Sequence, residues 1–185
     1  MMKNIAHRGF SAAYPENTML AFRKAVEAGC DGIEMDIRVC KSGELVVIHD
    51  SDVSRVTQGI GKVGDMTLDQ LKKLNVKAGF GDIYGFNEIP TLEEYFDYIQ
   101  TKDVFTNIEI KRGSKPGQEI EKKLIELINK YNLMQKVIIS SFDHYSIMRC
   151  KEIAPSIKCG LLMSDGILHP GKYAKHYGVE CIHPN

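Results

Sequence analysis

The stretch Asp31-Gly32-Ile33-Glu34-Met35-Asp36-Ile37-Arg38-Val39-Cys40-Lys41-Ser42-Gly43-Glu44-Leu45-Val46-Val47-Ile48-His49-Asp50 decides the fold. Two apolar runs flank a short polar turn, Lys41-Ser42-Gly43-Glu44. Gly accepts the positive φ that such a turn needs, so the stretch predicts a β-hairpin. Side chains alternate faces along a strand. Glu34 and Asp36 therefore share one face, and Ile33, Met35 and Ile37 share the other. With Ser42 and Gly43 as a two-residue loop, Lys41 faces Glu44 and Asp36 faces His49, a pair with Cβ atoms about 5 Å apart. One small patch then holds two carboxylates and an imidazole, and a slip of one residue would turn His49 away. A hairpin with ordinary solvated charges is the plain alternative. The same pattern recurs at Ile108-Glu109-Ile110-Lys111, where charges again interrupt an apolar strand on one face. Buried parallel strands are normally near-continuous apolar runs, so these charges need a reason.

Outward from the hairpin, Ile5-Ala6-His7-Arg8-Gly9 reads as a short strand with a polar end. Pro15-Glu16-Asn17-Thr18 opens a helix with Asn17 as its N-cap, and Gly29 closes it. Thr67-Leu68-Asp69-Gln70 and Thr91-Leu92-Glu93-Glu94 fit the capping box, so each starts a helix. Residues 51–66, and the stretch holding Gly79, Gly81, Gly85 and Pro90, read as irregular chain. Further helices are expected over about residues 117–131, after Asp143, and from Pro170 to Tyr177.

Alternation of strand and helix implies a parallel sheet with right-handed crossovers. The hairpin's return arm is the exception, being too close in sequence for a crossover helix. Residues 44–90 are therefore read as an insertion after the second strand, inside a single domain of residues 1–185. Six parallel strands remain, near residues 4–7, 31–38, 106–111, 137–142, 158–163 and 180–183. An eight-stranded (β/α)8 barrel of the TIM type would need two more. In such barrels the C-terminal strand ends carry the chemistry. His7, Glu34, Asp36, Glu109 and Lys111 all sit at that end of their strands.

A chain of 185 residues has length for one domain with a real core. Its 24 Lys and Arg balance its 24 Asp and Glu, which argues against a nucleic-acid or anionic-membrane partner held by bulk charge. No run is long enough to span a bilayer as a helix, and the N-terminus lacks the apolar segment of a signal peptide. Neither a membrane anchor nor a nucleic-acid partner is expected. Cys30, Cys40, Cys150, Cys159 and Cys181 form no Cys-x-x-Cys; they read as reduced, mostly buried residues of a cytoplasmic protein.

If Glu34, Asp36 and Glu109 converge, they repel unless a cation sits among them. An all-oxygen set with open positions suits Mg²⁺ or Ca²⁺ better than zinc. With such a cation, Arg8 and Lys111, the three carboxylates leave a net charge of +1, which matches the single negative charge of a phosphodiester. Arg8 offers a planar donor fork and Lys111 a point charge. His7 and His49 are the side chains best able to move protons near neutral pH. Glu16 and Asn17 read as organisers of the helix start, His144 as a first-turn helix residue, and His169 and His176 as surface histidines. Phe142 and His183 end strands at the functional rim.

These motifs together resemble the glycerophosphodiester phosphodiesterase family. The resemblance rests on Ile5-Ala6-His7-Arg8-Gly9, Pro15-Glu16-Asn17-Thr18 with Ala21-Phe22, Glu34-x-Asp36, Val46-Val47-Ile48-His49-Asp50 and Asn107-Ile108-Glu109-Ile110-Lys111. It implies a (β/α)8 barrel with a small insertion after its second strand. It also implies hydrolysis of a small-molecule glycerophosphodiester to glycerol 3-phosphate and an alcohol. By the same resemblance Glu34, Asp36 and Glu109 bind a divalent cation, Mg²⁺ or Ca²⁺ with Mn²⁺ as a third candidate. His7 and His49 form the acid–base pair, Arg8 and Lys111 hold phosphate, and a neighbouring glycerol hydroxyl attacks first to give a cyclic phosphate. The family usually has Lys-Asp-Gly at the hairpin turn, where this chain has Lys41-Ser42-Gly43.

The family pattern continues past the His-Pro strand with a Trp-Thr-Val-Asn-like strand and a Gly-x-Asp-Gly-Ile-x-Thr-Asp-like strand. This chain ends at His183-Pro184-Asn185 and has no tryptophan. The expectation is an incomplete barrel lacking its C-terminal strands, whose open sheet edges allow a homo-oligomer. The alternatives are an inactive truncated barrel serving as a binding or assembly module, and a related phospholipase C- or D-like phosphodiesterase.

Overall fold

The computed structural model describes residues 2–111 and 119–184. Its frame is one curled, incomplete sheet in the manner of a half-barrel. Six strands run parallel in the order β1 (Ile5–His7), β2 (Gly32–Val39), β4 (Phe105–Ile110), β5 (Val137–Ser141), β6 (Lys158–Met163) and β7 (Cys181–Pro184). The seventh, β3 (Leu45–Val47), pairs antiparallel with β2. Among the described residues β1 and β7 each pair on one side only. The tally of strands is thus the one expected, an incomplete TIM-type barrel with a hairpin arm.

Helices α1 (Met19–Glu27), α3 (Leu92–Ile99), α4 (Ile120–Lys130), α5 (His144–Ile153) and α6 (Pro170–His176) accompany the sheet, with the single turn α2 (Leu68–Leu71). The first two positions of the helix expected from about residue 117 lie outside the described residues. Both capping boxes form. Thr67 and Gln70 exchange side-chain and backbone bonds, as do Thr91 and Glu94. Asp143 caps α5 by accepting from the Tyr145 amide. No helix among the described residues is long and apolar enough to cross a membrane.

Alternation along β2 sorts the two faces as expected. Ile33, Met35 and Ile37 are fully buried against the helices, with Phe22, Leu92, Phe96, Leu124 and Ile128 in the same core. Glu34 and Asp36 point to the concave side. Tyr95 is fully buried in the helix-side core, and its hydroxyl meets the Thr106 hydroxyl at 2.8 Å, so no polar atom is left unpaired there.

Two local expectations are overturned. The helix cap is Thr18, whose hydroxyl accepts from the Ala21 amide; Asn17 has φ +55° and turns its side chain to the concave face instead. The hairpin register is also one residue off. Ile37 faces Val47 and Val39 faces Leu45, so Ile48, not His49, stands beside Asp36. The reason is the turn. Cys40 and Glu44 close a three-residue loop, Lys41-Ser42-Gly43, with Gly43 at φ +103°.

β3 separates two cores. Leu45 and Val47 belong to the main one, while Val46 joins a second cluster with Cys40, Ile48, Val53, Val56, Val63, Leu71, Val76 and Ile89.

Candidate active site

Strand β2 carries the site. Its first half pairs with β1, His7 beside Glu34, and its second half pairs on the same edge with β3. On its other edge Asp36 stands beside Glu109 of β4. The two histidines therefore approach from opposite ends of one edge. His7 closes β1, and His49 follows Ile48, whose amide donates to the Asp36 carbonyl at 2.9 Å. The chain leaves the ladder there, so strand alternation no longer governs His49 and the shifted register does not carry it off. Arg38 fixes its backbone, donating from Nε and Nη2 to the His49 carbonyl at 2.9 and 2.8 Å.

Glu34, Asp36 and Glu109 converge, each offering a carboxylate oxygen within 4.8 Å of the others. Burial pushes the Glu34 carboxyl up to about 8, aided by the charge of Asp36. Burial also raises Glu109, against the pull of its bond from Lys111. Lys111 Nζ lies 2.6 Å from Glu109 Oε1 and 3.0 Å from Asp36 Oδ1. The second contact is an ion pair without hydrogen-bond geometry, so the buried Asp36 Oδ1 accepts no bond. With all three carboxylates ionised, the cluster would exceed the charge of Arg8 and Lys111 by one, and among the described residues Asp36 Oδ1 accepts no hydrogen bond. That donor set fits a divalent cation.

Arg8 sits at the hub. Its backbone is left-handed, φ +56°, which aims its amide at Glu34 Oε2, 3.0 Å away. Its guanidinium lies 2.9 Å from Glu16 Oε1 and 3.4 Å from Asp36 Oδ2. Gly9 follows at φ +78°, and a Cβ there would come within 2.8 Å of the Ala21 backbone, so α1 is seated against this turn. His7 Nε2 is 3.8 Å from Glu34 Oε2. Burial and the neighbouring Arg8 charge lower the His7 pKa, so its ring is neutral near pH 7.

All seven expected site residues thus gather on one face. The structure adds others. Asn17 Nδ2 donates to Asp36 Oδ2 at 2.8 Å and orients that carboxylate. Asp50 Oδ1 lies 2.6 Å from His49 Nδ1. Arg55 bridges Asp50 and Glu16, donating to Glu16 at 2.7 and 3.0 Å. Burial alone would raise Glu16 and Asp50. Bonds from Arg55 and Arg8, and from His49 and Arg55, outweigh it and hold both below their usual range. The sequence signal for Asp50 is its adjacency to His49. Arg55 has none, because its partner Glu16 is 39 positions away.

Of the outlying residues, His144 does open α5, and His183 packs its ring over Gly160. Phe142 lines a cavity beyond the ends of β5 and β6.

Comparison with known proteins agrees with this geometry. Residues 7–180 match the Glycerophosphoryl diester phosphodiesterase family. A glycerophosphodiester phosphodiesterase of Caldanaerobacter subterraneus subsp. tengcongensis is 48% identical over 180 residues, which span 97% of this chain and 74% of that protein. The structure of a glycerophosphodiester phosphodiesterase from Thermotoga maritima superposes with a TM-score of 0.79 at 31% identity, covering 100% of this chain and 74% of that one. An Oleispira antarctica phosphodiesterase, solved in complex with the product sn-glycerol-3-phosphate, gives 0.84 at 28% identity, covering 100% and 75%. With its motifs, its barrel topology and its acidic cluster in agreement, this chain is an enzyme belonging to the glycerophosphoryl diester phosphodiesterase family.

Proposed function

We propose that the protein hydrolyses glycerophosphodiesters to sn-glycerol 3-phosphate and an alcohol, with Mg²⁺ or Ca²⁺, or Mn²⁺ in their place, held by Glu34, Asp36 and Glu109. The observation that carries this reading is the convergence of those carboxylates around an unbonded Asp36 oxygen, flanked by both imidazoles. When bound, the cation supplies Lewis acidity toward a phosphoryl oxygen and lowers the pKa of a coordinated hydroxyl. Arg8 and Lys111 bind the phosphate. Lys111, now tied to Asp36 and Glu109, is freed for that task once a cation balances them.

His7, neutral and beside Glu34, takes the proton of the glycerol hydroxyl that attacks phosphorus. His49 gives a proton to the departing alkoxide. Its Nδ1 is engaged by Asp50, which leaves Nε2 for the transfer and steadies the charged ring. The cyclic phosphate then opens by attack of water, with the two histidines exchanging roles.

Residues 44–90 serve as an insertion within one barrel domain. Its own apolar cluster supports this, as does Arg55, which it contributes to the site's edge. The free thiols of all five cysteines fit a cytoplasmic setting.

Release of glycerol 3-phosphate from glycerophosphocholine, followed with and without each cation after chelation, tests the reading. Cation-dependent release is expected. Absence of turnover with Mg²⁺, Ca²⁺ and Mn²⁺ alike would favour the inactive module instead. Asn17→Ala should weaken cation binding roughly 10- to 100-fold by releasing Asp36, as loss of an outer partner commonly does. Calorimetric titration measures this, and unchanged affinity would remove Asn17 from the site.

A further inference from the structure

A carboxylate that ligates a cation with one oxygen is held in place by a donor on its other side. Two members of the trio have such a donor, and it is neutral. The Arg8 amide donates to Glu34 Oε2 at 3.0 Å, and Asn17 Nδ2 donates to Asp36 Oδ2 at 2.8 Å. Glu109 differs. Its side-chain partner among the described residues is Lys111, whose Nζ lies 2.6 Å from Glu109 Oε1. Under the proposed function Lys111 turns to the phosphate. The group that holds Glu109 is then the one that leaves it.

A neutral donor stands next to Glu109 with nothing to bond. Ser140 of β5 faces Glu109 of β4 in the ladder, and adjacent strands lie about 4.8 Å apart. Ile139 belongs to the helix-side core, so alternation turns Ser140 to the concave face that Glu109 shares. Ser140 is fully buried, and its hydroxyl has no hydrogen-bond partner among the described residues. On its other side stands Gly160, which offers no side chain, and the His183 ring packs over that glycine. Buried hydroxyls are normally satisfied, because one left dry and unbonded costs free energy. The next residue obeys this rule, since the Ser141 hydroxyl donates to the Ile110 carbonyl at 2.8 Å.

We propose that Ser140 is a positioning residue of the cation site. When Lys111 turns to the phosphate, the Ser140 hydroxyl donates to Glu109 and holds that carboxylate on the cation. Glu109 then has a neutral donor, as Glu34 and Asp36 already do. The inference rests on the proposed function for the cation and for the movement of Lys111. It has a signature that packing alone does not give. The hydroxyl opposes the stability of the cation-free protein and adds to that of the loaded one, so its removal acts on the two in different directions.

The test is calorimetric titration of chelator-treated protein with Mg²⁺, Ca²⁺ and Mn²⁺, with and without glycerol 3-phosphate, paired with melting in chelator. Ser140→Ala is expected to weaken cation binding about tenfold when glycerol 3-phosphate is present. The loss should be smaller without it, because Lys111 then still holds Glu109. Melting in chelator should be unchanged or raised. Ser140→Cys keeps a side chain of similar shape with a weak donor, so its cation affinity should follow that of the alanine variant.

Native cation affinity in both variants would overturn the assignment of Ser140 and leave the carboxylate trio standing. A fall of chelator melting in step with affinity would also overturn it, by making the hydroxyl a packing group. If the native protein takes up none of the three cations, the reading of the trio falls and Ser140 falls with it.

Discussion

Glu34→Gln is expected to abolish cation-dependent turnover and, without cation, to leave the protein more stable at about pH 8 than the native chain. The reason is the pKa of Glu34, which burial and Asp36 lift from 4.5 to about 8 in the folded state. A folded pKa above the unfolded one means that the protonated carboxyl favours folding. That contribution is complete below the unfolded pKa and is lost as pH climbs through the folded one. Metal-free native protein should therefore weaken steadily from about pH 5 to about pH 8, by a few kcal/mol in all. Glu109 is shifted in the same direction and adds to the slope. Gln keeps the shape and removes the charge, so the Glu34 share of that slope disappears. Melting curves in chelator across this window, repeated with Mg²⁺ or Ca²⁺, measure both effects. A cation should restore the native protein most at the alkaline end and the variant little. Equal stabilisation of the two by cation would remove Glu34 from the metal site.

His49→Asn should cut turnover by about 10²- to 10⁴-fold while leaving the stabilisation by cation in place. His49 stands outside the carboxylate trio, and its Nδ1 is engaged by Asp50. Loss of its ring removes a proton donor without touching an oxygen ligand. Its surroundings speak for chemistry over structure. Asp50 is pinned by Arg55, Arg55 reaches Glu16, and Glu16 accepts from Arg8, so one chain of ion pairs fixes the imidazole and the guanidinium together. Glycerol 3-phosphate release at saturating substrate, paired with melting in the presence of cation, separates catalysis from binding. Activity within about tenfold of native would exclude His49 as the acid.

How much of this could be read from the chain depends on distance along it. Face alternation over Ile33 to Ile37 placed Glu34 and Asp36 together, and the recurrence at Glu109 and Lys111 supplied the neighbouring strand. Periodicity and capping boxes located the helices, because both are set by residues a few positions apart. Cross-strand register was less secure, since it hangs on one turn. Lys41-Ser42-Gly43 closes as three residues rather than two, and every pairing after it moves by one. Asn17 is ambiguous in sequence for a related reason. Asn suits both a helix cap and a left-handed turn, and only the nearness of Asp36 decides between them. Arg55 was invisible, because an ion pair between distant loops leaves no local pattern.

The sharing of one edge of β2 by β1 and β3 has a consequence for how such a chain tolerates insertions and deletions. His7 and His49 are spaced by counting residues along β2, so one residue gained or lost between Ile37 and Ile48 would displace an imidazole by a full strand step of about 3.3 Å. Beyond Arg55 the chain returns to the hairpin at Met66, whose carbonyl accepts from the Lys41 amide, at Leu68, whose amide donates to Ser42, and at Pro90, whose carbonyl accepts from the Val47 amide. Length variation in this lineage should therefore collect in the loops between these ties, leaving the hairpin turn at constant size.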